Sequence, residues 1–149
     1  VIDLIKEYHP GLFPVGRLDV DTEGLLLITN DGQLAHRLLS PRTHVPKTYY
    51  VKVKGRLRIG DINVFTKGIP LEDFTCMPAF LNIIKSDEIS ECEVTIYEGK
   101  FHQVKRMFQA CGKEVVYLKR ISMGELKLDE SLKLGHYRPL TDEEINSIL

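Results

Sequence analysis

Cysteine is scarce in this chain: Cys76, Cys92 and Cys111 stand far apart, with no Cys-x-x-Cys and no neighbouring histidine pair. Such an odd, dispersed set excludes a disulfide framework and offers no zinc spacing. The thiols are expected to be buried and inert, most clearly Cys111 on a helix face. Long apolar runs are missing as well. No stretch approaches the ~20 apolar residues that span a bilayer, and the amphipathic start at residues 1–6 lacks the apolar core of a signal peptide. These absences predict a cytoplasmic protein with no membrane partner. Neither sign of charge dominates: 20 Lys and Arg balance 21 Asp and Glu for a net −1, which argues against coating nucleic acid by bulk electrostatics. Phosphate-cradling Gly-x-x-x-x-Gly-Lys and nucleophile-elbow Gly-x-Ser-x-Gly patterns are absent. His9, His36, His44, His102 and His136 are dispersed without ligand-like pairing, so no metal site is expected.

What is present suffices for one domain. With 149 residues and 43% hydrophobic content, the chain can bury a core. Pro10-Gly11 breaks an amphipathic first turn. The apolar run over 25–29 reads as a buried strand closing on the turn Asn30-Asp31-Gly32. Leu34, Leu38 and Leu39 at helical spacing predict a helix over 33–39, ended by Ser40-Pro41. Alternation over 47–54 places Tyr49, Val51 and Val53 on one face of a strand and Tyr50, Lys52 and Lys54 on the other. Gly60-Asp61 caps a helix stopped by Gly68-Ile69-Pro70, and strands are expected at 79–85 and 91–97. Val104, Met107, Phe108 and Cys111 repeat at helical intervals before Gly112. A strand at 115–121, a hairpin-like segment at 126–134 and a Thr141 capping box opening a last short helix complete the pattern. Strands outnumber helices without regular interleaving, so the fold class is α+β, a mostly antiparallel mixed sheet with flanking helices.

Charge is distributed unevenly. Six cations between Lys100 and Arg120 face the single acid Glu114, and Arg37, Arg42 and Lys47 form a second basic stretch. One face could therefore meet a polyanion, although solvated surface charge accounts for the pattern equally well. The densest chemistry lies in Gly16-Arg17-Leu18-Asp19-Val20-Asp21-Thr22-Glu23-Gly24, immediately before the apolar run. Asp19, Asp21 and Glu23 imitate the opening of a calcium loop, but its twelfth position is Asn30 where a bidentate Glu is required. Carboxylate chemistry remains: an Asp held between a glycine turn and a buried strand, with Lys105 and Arg106 on the later helix as counter-cations. Taken alone, those local features fit an ordinary strand-end ion pair better.

The segment from Gly16 to Leu26 resembles the signature of bacterial ribosomal RNA pseudouridine synthases. Lys47-Thr48-Tyr49-Tyr50-Val51 is similar to that family's tyrosine motif. Glu98-Gly99-Lys100-Phe101-His102-Gln103-Val104-Lys105-Arg106-Met107-Phe108 is similar to its third motif. Three ordered motifs are far more specific than a lone Arg-Leu-Asp. The resemblance implies the pseudouridine synthase catalytic fold and an isomerase without cofactor. It implies Asp19 as nucleophilic carboxylate, Tyr49 as the aromatic group on the target base and Lys105 as the cation paired with Asp19. Arg17, Arg42, Lys47, Lys100, His102 and Arg106 would then contact RNA or brace the cleft. An aromatic platform and basic side chains suit a nucleotide that must leave its stack. Tyr49 is also open to a plain reading as a core tyrosine.

Gln33-Leu34-Ala35-His36-Arg37-Leu38-Leu39-Ser40-Pro41 and His44-Val45-Pro46 are most similar to the branch acting on small-subunit ribosomal RNA, with the large-subunit branches as close relatives. A non-catalytic RNA-binding or ribosome-assembly module is the competing class. The expected partner is ribosomal RNA or a small-subunit assembly intermediate, met by a monomer. Residues 1–149 are expected to be a catalytic domain cut from a longer chain, without the S4-like N-terminal domain usual in the family.

Overall fold

The computed structural model describes residues 1–149 except Tyr8, Pro41 and Phe101. Pro41, expected to stop the first helix, and Phe101, within the third motif, thus lie outside the described residues. Among these, the main sheet is built from β2 (Glu23–Gly24), β4 (Lys47–Lys54), β5 (Phe80–Lys85), β6 (Ile89–Ile96), β7 (Glu114–Met123) and β8 (Leu126–Lys127). Its order is β2-β7-β4-β6-β5, with β8 paired to β7. Every pairing is antiparallel except β2 on β7. β1 (Phe13–Pro14) and β3 (Ile28–Thr29) form a separate two-stranded ribbon. The helices are α1 (Gly32–Leu39), α2 (Ile59–Lys67), α3 (Gln103–Ala110) and α4 (Asp142–Ile148). The α+β reading and its mostly antiparallel sheet hold, and no described helix is long and apolar enough to cross a membrane.

Alternation drives the larger core. Val51 and Val53 of β4, Cys92, Val94 and Ile96 of β6, and Leu118 of β7 turn the same sheet face toward Phe65 of α2 and Val104, Met107 and Phe108 of α3. The Phe65 and Phe108 rings meet at 5.0 Å between centroids, tilted by 51°. A second cluster joins Val15, Leu27, Ala35, Leu38, Met123, Leu126 and Ile148, tying α1 and α4 to the far end of β7. α1 therefore buries Ala35 and Leu38, while Leu39, expected on its apolar face, is exposed.

Several boundaries differ from the sequence reading. The 25–29 run is not one strand: β2 ends at Gly24, the chain leaves the sheet, and only Ile28 and Thr29 pair again, with β1. The reason is local. Gly24 has φ +117°, and a Cβ there would lie 2.2 Å from the Arg120 carbonyl oxygen, so the backbone presses against β7 and then turns away. Asp61 is not the first cap of α2 but its third residue, accepting from the Arg58 backbone N–H at 2.9 Å. The 126–134 segment pairs with β7 through Leu126 and Lys127, with the Leu128 N–H donating to the Ile121 carbonyl at 2.9 Å, and then leaves the sheet as Leu132 and His136 close local turns onto Asp129 and Lys133. Thr141 does cap α4, accepting from the Glu144 N–H at 3.2 Å while Glu144 accepts from the Thr141 N–H at 2.9 Å. Cys111, at the C-cap of α3, is the half-buried thiol, whereas Cys76 and Cys92 are buried. Burial pushes those two up to about 11 and about 12, which keeps them protonated and unreactive at neutral pH.

Candidate active site

Three segments distant in sequence converge because the sheet order forces them together. β7 is flanked by β2 on one side and β4 on the other, so Arg120 lies opposite Gly24 and opposite Tyr49. The turn before β2 carries Asp19 and is closed by the Thr22 N–H donating to the Asp19 carbonyl at 2.9 Å. Between Thr48 and Tyr49 the β4 to β7 register shifts, Thr48 pairing with Ser122 and Tyr49 with Arg120, so Ile121 is the extra residue of a bulge. Bulges of this kind re-aim side chains beside functional sites.

The Asp19 carboxylate faces the first turn of α3. Its Oδ2 lies 3.6 Å from Lys105 Nζ and its Oδ1 3.6 Å from His102 Nε2, with the aspartate side chain 26% exposed. His102 occupies the N-cap of α3 in a left-handed conformation, φ 48°, and makes no side-chain capping bond; its ring is directed to Asp19. A non-glycine residue held at positive φ is a strained arrangement of the sort that gathers at functional sites. Lys105 does not serve Asp19 alone: its shortest bond is to the exposed Asp21 carboxylate, which thereby falls below the usual carboxylate range. Asp21 thus competes with Asp19 for the same ammonium. Glu23 leaves this group and accepts from the Tyr117 hydroxyl on the neighbouring strand.

Arg17, Asp19, Lys47, Tyr49, Lys100 and His102 border one pocket of about 130 Å³, together with Thr22, Leu118 and Arg120. A dry cavity of about 150 Å³ admits a benzene ring, so this space is on the scale of a single six-membered ring. Tyr49 packs its ring against the larger core and reaches the pocket. Burial holds its phenol above the ordinary value, with the Asp19 charge acting in the same direction and the Arg120 guanidinium opposing it. Lys100 stands over the Phe74 ring at 5.8 Å and Arg106 over the same ring at 5.6 Å. Arg106 is also paired with Asp73, outside the pocket lining, so its visible contacts brace the 73–74 loop. Arg42 is exposed on the turn after α1 and does not border the pocket.

Two features escaped the sequence reading. Arg120, counted there among surface cations, is 3% exposed, and Lys47 is 6% exposed. Parity was the available signal: Lys47 lies two residues before Tyr49 and so shares its inward face, and Arg120 lies two residues after Leu118.

The sequence model of RNA pseudouridylate synthases matches residues 6–110. A Bacillus subtilis protein described as uncharacterized RNA pseudouridine synthase YtzG is 51% identical over 150 residues, covering 98% of this chain and 63% of its own length. Ribosomal small subunit pseudouridine synthase A of Salmonella typhimurium is 47% identical over 140 residues, covering 92% of this chain and 59% of that protein. A crystal structure of a pseudouridylate synthase superposes with a TM-score of 0.88 at 45% identity, covering 93% of this chain and 60% of that one. The chain thus spans about three fifths of the length of these relatives.

Proposed function

The chain belongs to the RNA pseudouridylate synthase family, and we propose that it isomerises a specific uridine of small-subunit ribosomal RNA to pseudouridine, with Asp19 as the nucleophile. The observation that carries this reading is the meeting of Asp19, Tyr49 and the first turn of α3 around a pocket of one-ring size. An extruded base enters beside Tyr49, whose ring offsets the stacking lost on extrusion. Asp19 then lies at the sugar edge of that base, with Lys105 and His102 holding its carboxylate in place. Arg17 and Lys100 border the opening and suit the phosphates of the flanking nucleotides. The small-subunit assignment draws on the likeness to small subunit pseudouridine synthase A.

The test is single-turnover pseudouridine formation on a small-subunit ribosomal RNA transcript, with Asp19→Asn and Asp21→Asn compared in parallel. Asp19→Asn is expected to abolish product while the circular dichroism spectrum and melting profile stay native. Asp21→Asn removes only the competitor for Lys105 and is expected to keep turnover within about fivefold, since an exposed ion pair contributes at most ~1 kcal/mol. Product from Asp19→Asn refutes the nucleophile. RNA binding by the unaltered chain without any product would identify a non-catalytic module.

A further inference from the structure

The pocket wall is electrostatically lopsided. Among the charged residues bordering it, Arg17, Lys47, Lys100 and Arg120 are cations, and Asp19 is the single acid. Arg17 and Lys100 stand toward solvent, but Lys47 and Arg120 are buried on the sheet face they share with Tyr49. Burying a cation is costly unless its donors are used. Arg120 spends Nε on the Leu25 carbonyl at 2.9 Å, yet its Nη2 is fully buried and has no hydrogen-bond acceptor among the described residues. The hydrogen bond the structure gives Lys47 Nζ is a long one, 3.5 Å to the Val45 carbonyl. Two inward-facing cations with unspent donors therefore line a ring-sized space that also holds a catalytic carboxylate.

We propose that Lys47 and Arg120 form an anion-stabilising floor that receives the carbonyl oxygens of the target uracil and holds the negative charge that develops on the ring during isomerisation. This rests on the reaction proposed above. When the N1–C1′ bond breaks, its electron pair stays with the uracil and spreads onto the carbonyl oxygens, while C1′ bonds to the Asp19 carboxylate. The turned ring returns a pair from C5 to C1′, the carboxylate leaves, and the proton on C5 is lost as N1 takes one up. Nothing is oxidised or reduced. Donors placed where charge appears, in a site shielded from water, stabilise such a step more than the same groups would in solvent. Burial and the neighbouring Arg120 lower the Lys47 pKa, so its ammonium is a readier proton donor than a surface lysine.

The probe is barbiturate, a planar ring that resembles uracil and is an anion at neutral pH, compared with neutral uracil by NMR titration of the 149-residue chain. Barbiturate is expected to bind at least about tenfold tighter than uracil, a preference in keeping with charge-assisted hydrogen bonds. Lys47→Met and Arg120→Gln should each abolish most of that preference. Arg120→Gln also releases the Leu25 carbonyl; where that variant fails to fold, Lys47→Met, which fills the same buried length without charge, carries the test. Equal affinity for the two rings in the unaltered chain, binding of neither, or an undiminished preference in Lys47→Met overturns the proposal. Turnover on RNA separates the two readings. Pseudouridine formation without a barbiturate preference defeats the floor alone, whereas a preference lost on Lys47→Met in a chain that makes no pseudouridine supports the floor and defeats the reaction.

Discussion

Replacing Gly24 by alanine strikes a contact that joins the sheet to the Asp19 turn. Gly24 pairs with Arg120 across the parallel β2 to β7 seam, and an added Cβ would sit 2.2 Å from the Arg120 carbonyl oxygen and 2.6 Å from its nitrogen. Both are backbone atoms of a central strand, so no side-chain rotation relieves the clash. The φ of +117° adds a strain of about 1–3 kcal/mol for a residue with a side chain. Moving the segment away sacrifices the Leu25 N–H to Arg120 carbonyl bond at 2.8 Å, about 1 kcal/mol, and the guanidinium bond to the Leu25 carbonyl at 2.9 Å, about 1.5–3 kcal/mol. The total, roughly 3–7 kcal/mol, rivals the whole stability of a domain this size, about 5–15 kcal/mol. Urea unfolding followed by circular dichroism should therefore show a midpoint far below that of the unaltered chain. Where folded protein remains, Asp19 is displaced from Lys105 and single-turnover pseudouridine formation should fall at least about a hundredfold, in line with the sensitivity of catalysis to ~1 Å misplacement. A variant within ~1 kcal/mol of the unaltered chain with undiminished turnover would refute the reasoning, because the seam would then not be what holds Asp19.

Phe108→Ala empties one half of the ring pair at the centre of the larger core and should cost about 3–5 kcal/mol in chemical unfolding; a loss under ~1.5 kcal/mol would mean that α3 collapses readily onto the sheet. Acid should loosen the C-terminal helix. Ser131 and Arg138 hold Asp129 at about 2, and Arg138 with the Thr141 N–H holds Glu144 at about 2. Below the ordinary carboxylate values of about 4 the unfolded chain binds more protons than the folded one, so this stabilisation is complete above pH ~4.5 and is lost as pH falls toward 2. Arg138→Met should flatten that limb of the stability curve, and parallel curves for the two proteins would show that the arginine is not responsible.

Period and punctuation carry different amounts of information in this sequence. Where alternation runs unbroken, as in 47–54, both the strand and its inward face were legible, because Val51 and Val53 have no comparable apolar partners on the opposite parity. The last helix was equally plain, since Thr141 and Glu144 satisfy each other's backbone groups locally. The run at 25–29 misled for a complementary reason. Four successive apolar residues fit a buried strand, but Leu27 packs against α1 and β8 in the second cluster instead of joining the sheet. Gly24 marks the departure, and a lone glycine does not announce which backbone it must approach.

The same distinction explains what was and was not readable in the pocket. Asp19, Tyr49 and Lys105 stand inside motifs, so their types and order point to them before any contact is seen. Lys47 opens the tyrosine motif, but nothing in that motif marks it as buried, and Arg120 lies outside all three motifs; composition assigns a lysine or arginine to the surface by default. Their burial is a consequence of parity combined with the bulge: Ile121, skipped on β7 opposite the step from Thr48 to Tyr49, brings Arg120 level with the tyrosine. A cation forced inward by strand alternation must find an acceptor or leave a donor unspent, and Arg120 Nη2 is unspent. The Asp19 turn, the β7 bulge and the inward lysine of β4 are therefore three parts of one arrangement. The turn supplies the Asp19 carboxylate, and the other two surround the space beside it with positive charge.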